Sequence, residues 1–553
     1  MQFFRISNAT LHSFNAIGSG CNSFMQSSGL FVNDSFDRFL SRTYSYIRIE
    51  VNDLKNQIDC LLIPFSGSFE TQGLQIAKQY FKTKHDIRRP MNPTVACLGT
   101  YLNKKGLTFD CVNSFEDDKL LIAQKLQCNS YLTVGISTTF CDQIDDAIEM
   151  IRFVRAYAPD SCIILGGPTV VNYINAYLHE SEDVFHFSMR RLDVQYVIHS
   201  FYGEEELFQI IQNTKSNRSI TNIPNLFYKK HEIFHFTYQK TDVFDLRNSV
   251  VNWGLFRKQV SNVVSIRTTV SCPFSCSFCS YPINAGKFSA MPVAEVEMML
   301  KEIDKQKEIE LVHFIDDTFN VPVKRFREIL NMMSRNHFHF KWFSYIRCQF
   351  LDDEIVGLMK KSGCIGVFLG IESGSEKMLR IMNKCSDVKS FQKGIALLNQ
   401  YSIINFASFI IGYPGETQET IEETISFIEQ NQPTFYSLNT WVYDTRTPIN
   451  ERREEFGLEG VYKTWRHNTM TYEKANQITL EAKSSIQNSI LDFLPWTMIF
   501  QLIVQGVTLK ELSAVAQKLK TAGKHERFVD MTEETHEHSY LCETGALCRK
   551  DEI

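Results

Sequence analysis

Three cysteines constrain this chain more than any other feature. Cys272, Cys276 and Cys279 follow the spacing C-x3-C-x2-C within the run from Thr268 to Pro282. Thiolates are soft ligands, and three of them on one short segment can wrap a single iron–sulfur cube. Three ligands for four irons leave one iron open to a small molecule carrying an amino and a carboxylate group. The competing readings are a zinc knuckle or three unrelated buried thiols. Zinc sites usually pair two C-x2-C units, and no second pair follows at that distance. The triplet therefore favours a [4Fe–4S] cluster.

The composition sets the outer bounds. At 553 residues the chain exceeds what one core fills, so more than one domain is expected. A content of 44% hydrophobic and 22% charged residues suits a folded globular protein. The net charge of -5 speaks against a chain-wide nucleic-acid or anionic-membrane surface. The first residues lack a basic region followed by a long apolar run. No stretch reaches about 18 uninterrupted apolar residues. The expectation is a cytoplasmic chain with no membrane or nucleic-acid partner, its 15 cysteines kept reduced.

Short apolar runs alternate with helical patterns along two stretches. In the first, Cys60–Pro64, Leu132–Ile136, Cys162–Leu165 and Val194–His199 read as strands. Thr94–Lys105 and Gln143–Ala156 read as helices between them. Such alternation predicts a doubly wound, Rossmann-like (flavodoxin-like) α/β domain, whose ligands bind beyond the carboxyl ends of the strands. Ser137, Thr138, Gly166, Gly167 and Gly203 fall at those ends. They would leave room for a large ligand, or simply make tight turns. In the second stretch, strands are expected to begin near Ile266, Val312, Phe340, Val367, Ala407 and Ser437, giving a full or partial (β/α)6 barrel. The expected organisation is an N-terminal extension (1–54), the Rossmann-like domain (55–215), a linker with a hairpin around 227–234 (216–258), the barrel (259–465), a helical C-terminal region (466–530) and a tail (531–553).

A C-x3-C-x-aromatic-C segment after a strand, with Phe278 before the third cysteine, resembles the radical S-adenosylmethionine (SAM) superfamily. The resemblance extends over 262–460 and more loosely over 55–215. It implies that Cys272, Cys276 and Cys279 hold a [4Fe–4S] cluster that reduces SAM to a 5′-deoxyadenosyl radical. It also implies an external electron donor of the flavodoxin or ferredoxin type. Asp316 and Asp317, in Phe314–Phe319, resemble the stretch that meets the methionine amino group, or a helix N-cap. Arg347 sits where the family often places a basic partner for the carboxylate, or in a surface ion pair. Glu372 and Ser373, in Gly370–Gly374, resemble the ribose-binding position. Gly412, Pro414 and Gly415 resemble the family's G-x-P-G-E-T turn near adenine.

The front domain resembles the cobalamin-binding domain of many such enzymes, with the groove near Ser137, Thr138, Gly166, Gly167 and Gly203. It departs from the pattern in lacking D-x-H-x-x-G; His85 does not have the spacing. With cobalamin bound, the resemblance implies methyl transfer to an unactivated carbon or phosphorus of a natural product or peptide. Cyclisation, epimerisation or rearrangement of a small-molecule or peptide substrate is the alternative, and a non-catalytic iron–sulfur or zinc protein is the third. Trp465–Met470 resembles a tract after the barrel in phosphorus-methylating relatives, or is a helix start with a core tryptophan. In the tail, His536, His538, Cys542 and Cys548 read as an exposed segment or a second metal site.

Overall fold

The computed structural model describes residues 57–66, 79–81, 87–141, 143–178, 180–240 and 245–521. The expected N-terminal extension, His85 and the four tail residues lie outside these.

The first sheet contains β1 (Gln57–Pro64), β2 (Phe109–Cys111), β3 (Ser130–Ser137), β4 (Cys162–Gly166), β5 (Tyr196–Ile198), β6 (Leu226–Lys230) and β7 (Ile233–Phe236), in the order β2-β1-β3-β4-β5-β6-β7. β1 and β2, β3 and β4, and β4 and β5 pair parallel. β6 and β7 are antiparallel and complete one edge. The order 2-1-3-4-5 reverses direction between β1 and β3, which opens a crevice at their carboxyl ends. The helix Pro93–Lys104 begins there because Asn92 caps it, accepting from the amides of Thr94 and Val95 at 3.0 and 3.3 Å. The hairpin expected around 227–234 is present as β6 and β7, and it extends this sheet.

The second sheet is built from β8 (Val263–Ile266), β11 (Leu311–Phe314), β12 (Lys341–Ile346), β13 (Cys364–Glu372), β14 (Ile404–Ile411), β15 (Phe435–Thr440) and β18 (Ile490–Leu491). Neighbours pair parallel throughout, and β8 and β18 do not close on each other. The six expected strands are thus present, with a short seventh at the edge. Two antiparallel pairs lie outside the sheet: β9 (Thr269–Val270) with β10 (Ser289–Ala290), and β16 (Arg466–His467) with β17 (Met470–Thr471).

Alternation along each barrel strand sorts its two faces. Val264, Ile266, Val312 and Phe314 pack outward among helices that include Val293–Asp304 and Val323–Asn336. Val263, Leu311, Phe343, Phe406 and Phe435 belong to an aromatic core with the C-terminal helix Trp496–Val504. The Phe500 ring packs tilted against Phe343 at 4.6 Å, and Trp496 lies 4.8 Å from Tyr345. Gly366 makes room for this helix, since a Cβ there would sit 2.3 Å from Phe500. The helix is also tied to the residues preceding Pro93: the Arg88 amide donates to Gln501 Oε1 at 3.3 Å, and Gln501 Nε2 donates to the Arg88 carbonyl at 3.1 Å.

Phe500 is completely buried, so Phe500→Ala should cost about 3–5 kcal/mol. Chemical denaturation should show a clearly lowered midpoint. An unchanged midpoint would mean that this ring does not pack the lumen.

Candidate functional site

The cysteine loop leaves the barrel wall just after β8. Its two ends are stapled to each other by the β9–β10 pair, with Val270 opposite Ser289 and Thr269 opposite Ala290. Asp316, directly after β11, fixes the first end. Its Oδ1 accepts the amides of Thr268 at 2.6 Å and Thr269 at 2.7 Å, and its Oδ2 accepts the Thr268 hydroxyl. Arg325 ties the second end, donating to the Met291 carbonyl at 2.9 Å and to the Thr268 carbonyl at 3.2 Å. Asp316 is fully buried, and burial pushes its carboxyl up against these hydrogen bonds. The expected contact of Asp316 with a methionine amino group is therefore corrected: both oxygens are committed to the loop's stem.

The middle of the loop rests on the segment after the helix Glu376–Ile381. The Ser277 amide donates to Met382 O at 2.9 Å, and the Ser277 hydroxyl donates to Ile381 O at 3.0 Å. Tyr413 OH, 2.8 Å from Ser277 Oγ, is then the donor of that pair. Asn383 Nδ2 donates to Ser275 O at 2.8 Å. Cys276 is buried, with Arg347 Nη2 donating to its Sγ at 3.0 Å. Cys272 Sγ lies 3.9 Å from Thr318 Oγ1, and burial raises its thiol pKa. No disulfide involves these three cysteines. Among the described residues, no three His, Cys, Asp or Glu side chains are gathered as a single metal ion would require. A cube instead takes each thiolate on a different iron. The donor set fits one, with three thiols on one stapled loop and the cations of Arg347 and Lys384 beside it.

Glu372 ends β13 at a register break and adopts a left-handed backbone, φ +67°. Its Oε1 receives Lys384 Nζ at 2.7 Å, and both side chains are almost wholly buried. Ser373 turns away from Glu372: its hydroxyl meets Thr424 Oγ1 at 3.1 Å and accepts the Ser375 amide at 3.1 Å. Its expected ribose contact is corrected to a turn brace. Gly412 and Gly415 both need positive φ, +91° and +88°. A Cβ on Gly412 would lie 2.6 Å from Ala475 and 2.9 Å from Trp465. Pro414 lies between them in the same turn. The Gly412 amide donates to Glu416, and its carbonyl accepts His467 Nε2 at 3.0 Å. Trp465 stacks on His467 at 5.0 Å and is 1% exposed, so it is a core tryptophan that braces this turn.

A cavity of about 760 Å³ opens between the strand ends of the first sheet and the barrel. Ser137, Gly166, Gly167 and Gly203 line one side; Arg267, Asp317, Tyr281 and Trp496 line the other. Thr138 stands behind this wall. Its hydroxyl donates to Gly166 O at 3.1 Å and accepts the Val170 amide at 3.2 Å, so it shapes the turn and does not face the space. Gly167, at φ +115°, closes on Thr138 so tightly that a Cβ would lie 2.8 Å from its hydroxyl. Asp317 is accessible, but only to the confined interior of the cavity. Crowding by protein atoms pushes its carboxyl up to about 6, with Asp316 adding to the shift and Arg267 and Tyr281 opposing it. Sequence patterns missed Arg267, Tyr281 and Lys384, because nothing local distinguishes them from ordinary surface or helix residues; Glu416 lies within the G-x-P-G-E-T turn, but its burial was not foreseen.

Residues 266–428 match the family model described as the Radical SAM superfamily. The barrel thus carries a radical SAM domain over those residues. The fold, with a mostly parallel-sheet front domain before the barrel, is similar to that of solved enzyme structures. The structure of the methyltransferase TsrM from Kitasatospora setae, with cobalamin and a [4Fe–4S] cluster bound, superposes with a TM-score of 0.57 at 16% identity, over 72% of this chain and 75% of that one. An uncharacterized methyltransferase of Pyrococcus horikoshii is 30% identical over 166 residues, 30% of this chain and 36% of the relative. The anaerobic magnesium-protoporphyrin IX monomethyl ester cyclase of Rubrivivax gelatinosus is 26% identical over 229 residues, 38% of this chain and 40% of the relative. The chain therefore spans less than half the length of these two curated relatives. Among the described residues, no helix is long and apolar enough to cross a membrane.

Glu416 is wholly buried, and burial pushes its carboxyl from the usual 4.5 up to about 8. Its folded value is raised, so its stabilising contribution is full below 4.5 and is lost as the pH rises through about 8. Glu416→Gln keeps an acceptor for the Gly412 amide. It should melt higher than the parent at pH 8 by an amount that vanishes near pH 4. Parallel melting curves across that range would contradict the assignment.

Proposed function

We propose that this chain binds a [4Fe–4S] cluster through Cys272, Cys276 and Cys279, cleaves SAM on it, and transfers a methyl group with the help of cobalamin. The observation that carries the reading is the stapled three-cysteine loop, held beside the carboxyl ends of a parallel barrel and adjoining a large cavity rimmed by small residues. When bound, the cluster supplies the electron that breaks the sulfonium C5′–S bond, and cobalamin supplies the methyl carrier. The protein's part is to bind, orient and exclude water. Glu372 offers acceptors to the ribose hydroxyls. The Gly412–Gly415 turn brings bare backbone to the adenine, and Asp317 faces the cavity from the barrel side.

Ser137, Gly166, Gly167 and Gly203 rim the side of the cavity where cobalamin would lie. A ligand of that size needs walls without side-chain bulk, and these residues provide them. The acceptor is an unactivated carbon or phosphorus of a small natural product or peptide. An external flavodoxin- or ferredoxin-type protein delivers the electron. The matched cyclase motivates a second reading, ring formation without methyl transfer.

Anaerobically reconstituted full-length protein should carry iron and sulfide, bind about one cobalt per chain, and release both 5′-deoxyadenosine and S-adenosylhomocysteine. Release of 5′-deoxyadenosine alone would favour cyclisation or rearrangement. Zinc in place of iron would remove the radical reading. Cys276→Ala should lose the cluster and 5′-deoxyadenosine formation while the front domain stays folded; turnover retained in that variant would sink the ligand assignment. Glu372→Ala should weaken SAM binding about tenfold, the scale of one charge-assisted hydrogen bond, at unchanged iron content. An unaltered dissociation constant would remove Glu372 from the site.

A further inference from the structure

Arg347 is expected from its position to pair with the carboxylate of SAM. Its surroundings point elsewhere. Only 7% of the residue is exposed. Its guanidinium lies over the Phe274 ring, with Cζ 3.6 Å from the centroid. Nη1 donates to Lys384 O at 3.0 Å, and Nη2 donates to Cys276 Sγ at 3.0 Å. The backbone is locked as well: the Arg347 amide donates to Asn320 Oδ1 at 3.0 Å, and Asn320 Nδ2 returns a bond to Arg347 O at 2.8 Å.

The charges make the case. Among the described residues, Arg347 pairs with no carboxylate, whereas the neighbouring cation Lys384 is already neutralised by Glu372 at 2.7 Å. A buried guanidinium is costly unless an anion faces it. The atom that faces it is the Cys276 sulfur, which carries negative charge when bound to iron. The planar fork, held by a ring below and a carbonyl to one side, has little freedom to swing toward a second anion.

We infer that Arg347 is a positioning residue for the cluster, donating to the iron-bound Cys276 sulfur and easing reduction of the cube, and is not the partner of the SAM carboxylate. This rests on the assignment of Cys276 as a ligand. A hydrogen bond to a ligating sulfur withdraws charge from the iron, and so favours the more negative, reduced state.

The test is a redox titration of the reconstituted full-length protein without SAM, monitored by electron paramagnetic resonance, with iron content and SAM affinity measured alongside. In Arg347→Gln the midpoint should move to more negative potential, with iron per chain unchanged and the SAM dissociation constant within about twofold of the parent. Arg347→Lys, which keeps the charge but not the fork, should shift in the same direction by less, and serves if the glutamine variant does not fold. An unmoved midpoint together with a SAM dissociation constant raised about tenfold would overturn the inference and restore the carboxylate role. An unmoved midpoint with unchanged affinity would overturn it too. If the parent protein holds no cluster, the failure lies with the ligand assignment instead.

Discussion

The carboxylate of Asp316 is the point on which the site turns. It takes the amides of Thr268 and Thr269 at 2.6 and 2.7 Å where the chain swings off the end of β8. Those amides have left the ladder of the sheet, and unpaired in the interior each would cost about 1–3 kcal/mol. Arg325 meets the carbonyls of Thr268 and Met291, so one acid and one base fix both ends of the loop. Only with its stem held can an irregular loop present three thiols in a repeatable arrangement. Pre-organisation of that kind is what a bound cofactor demands of its ligands.

The loop's second support comes from far along the chain. Ile381, Met382, Asn383 and Lys384 take hydrogen bonds from, or give them to, Ser275, Ser277 and Arg347. Tyr413, from the turn after β14, adds its hydroxyl to Ser277. Glu372 reaches the same segment through Lys384. The cysteine loop is therefore braced by residues 381–384, which also hold Glu372 at the end of β13 through Lys384, and directly by Tyr413 from the Gly412 turn.

Most of the fold was legible because it was written in period and punctuation. Continuous apolar runs such as Cys162–Leu165 mark strands buried on both faces, and Gly166-Gly167-Pro168 marks where one stops. The three-residue β2 and the two-residue β18 escaped notice because so few residues carry no period. The cysteine spacing stood out for the same reason in reverse, since three thiols so close together are rare without a cause. What sequence could not separate was direction. Asp316 and Asp317 are adjacent, yet one is turned into the loop's stem and the other into the cavity. Glu372 and Ser373 diverge likewise at a left-handed residue, and Thr138 hides behind Ser137. Each is decided by which side of a strand end a side chain leaves. Arg347 was found by position but given another partner, because the sulfur it meets is brought to it by tertiary structure alone.

The aromatic lumen has a bearing on how the molecule comes into being. Phe81 and Ile87 belong to the same buried cluster as Leu512 and Leu519. That cluster also contains Val263, Leu311 and Phe406, one from each of three barrel strands. A ribosome must therefore release nearly all of the chain before this cluster can be completed, and the early strands wait with their inner faces uncovered. Metal loading during translation would meet a barrel still lacking its stopper. The filled barrel depends on residues far outside it in sequence, and a barrel cut out at residues 259–465 would lack the helix that fills it.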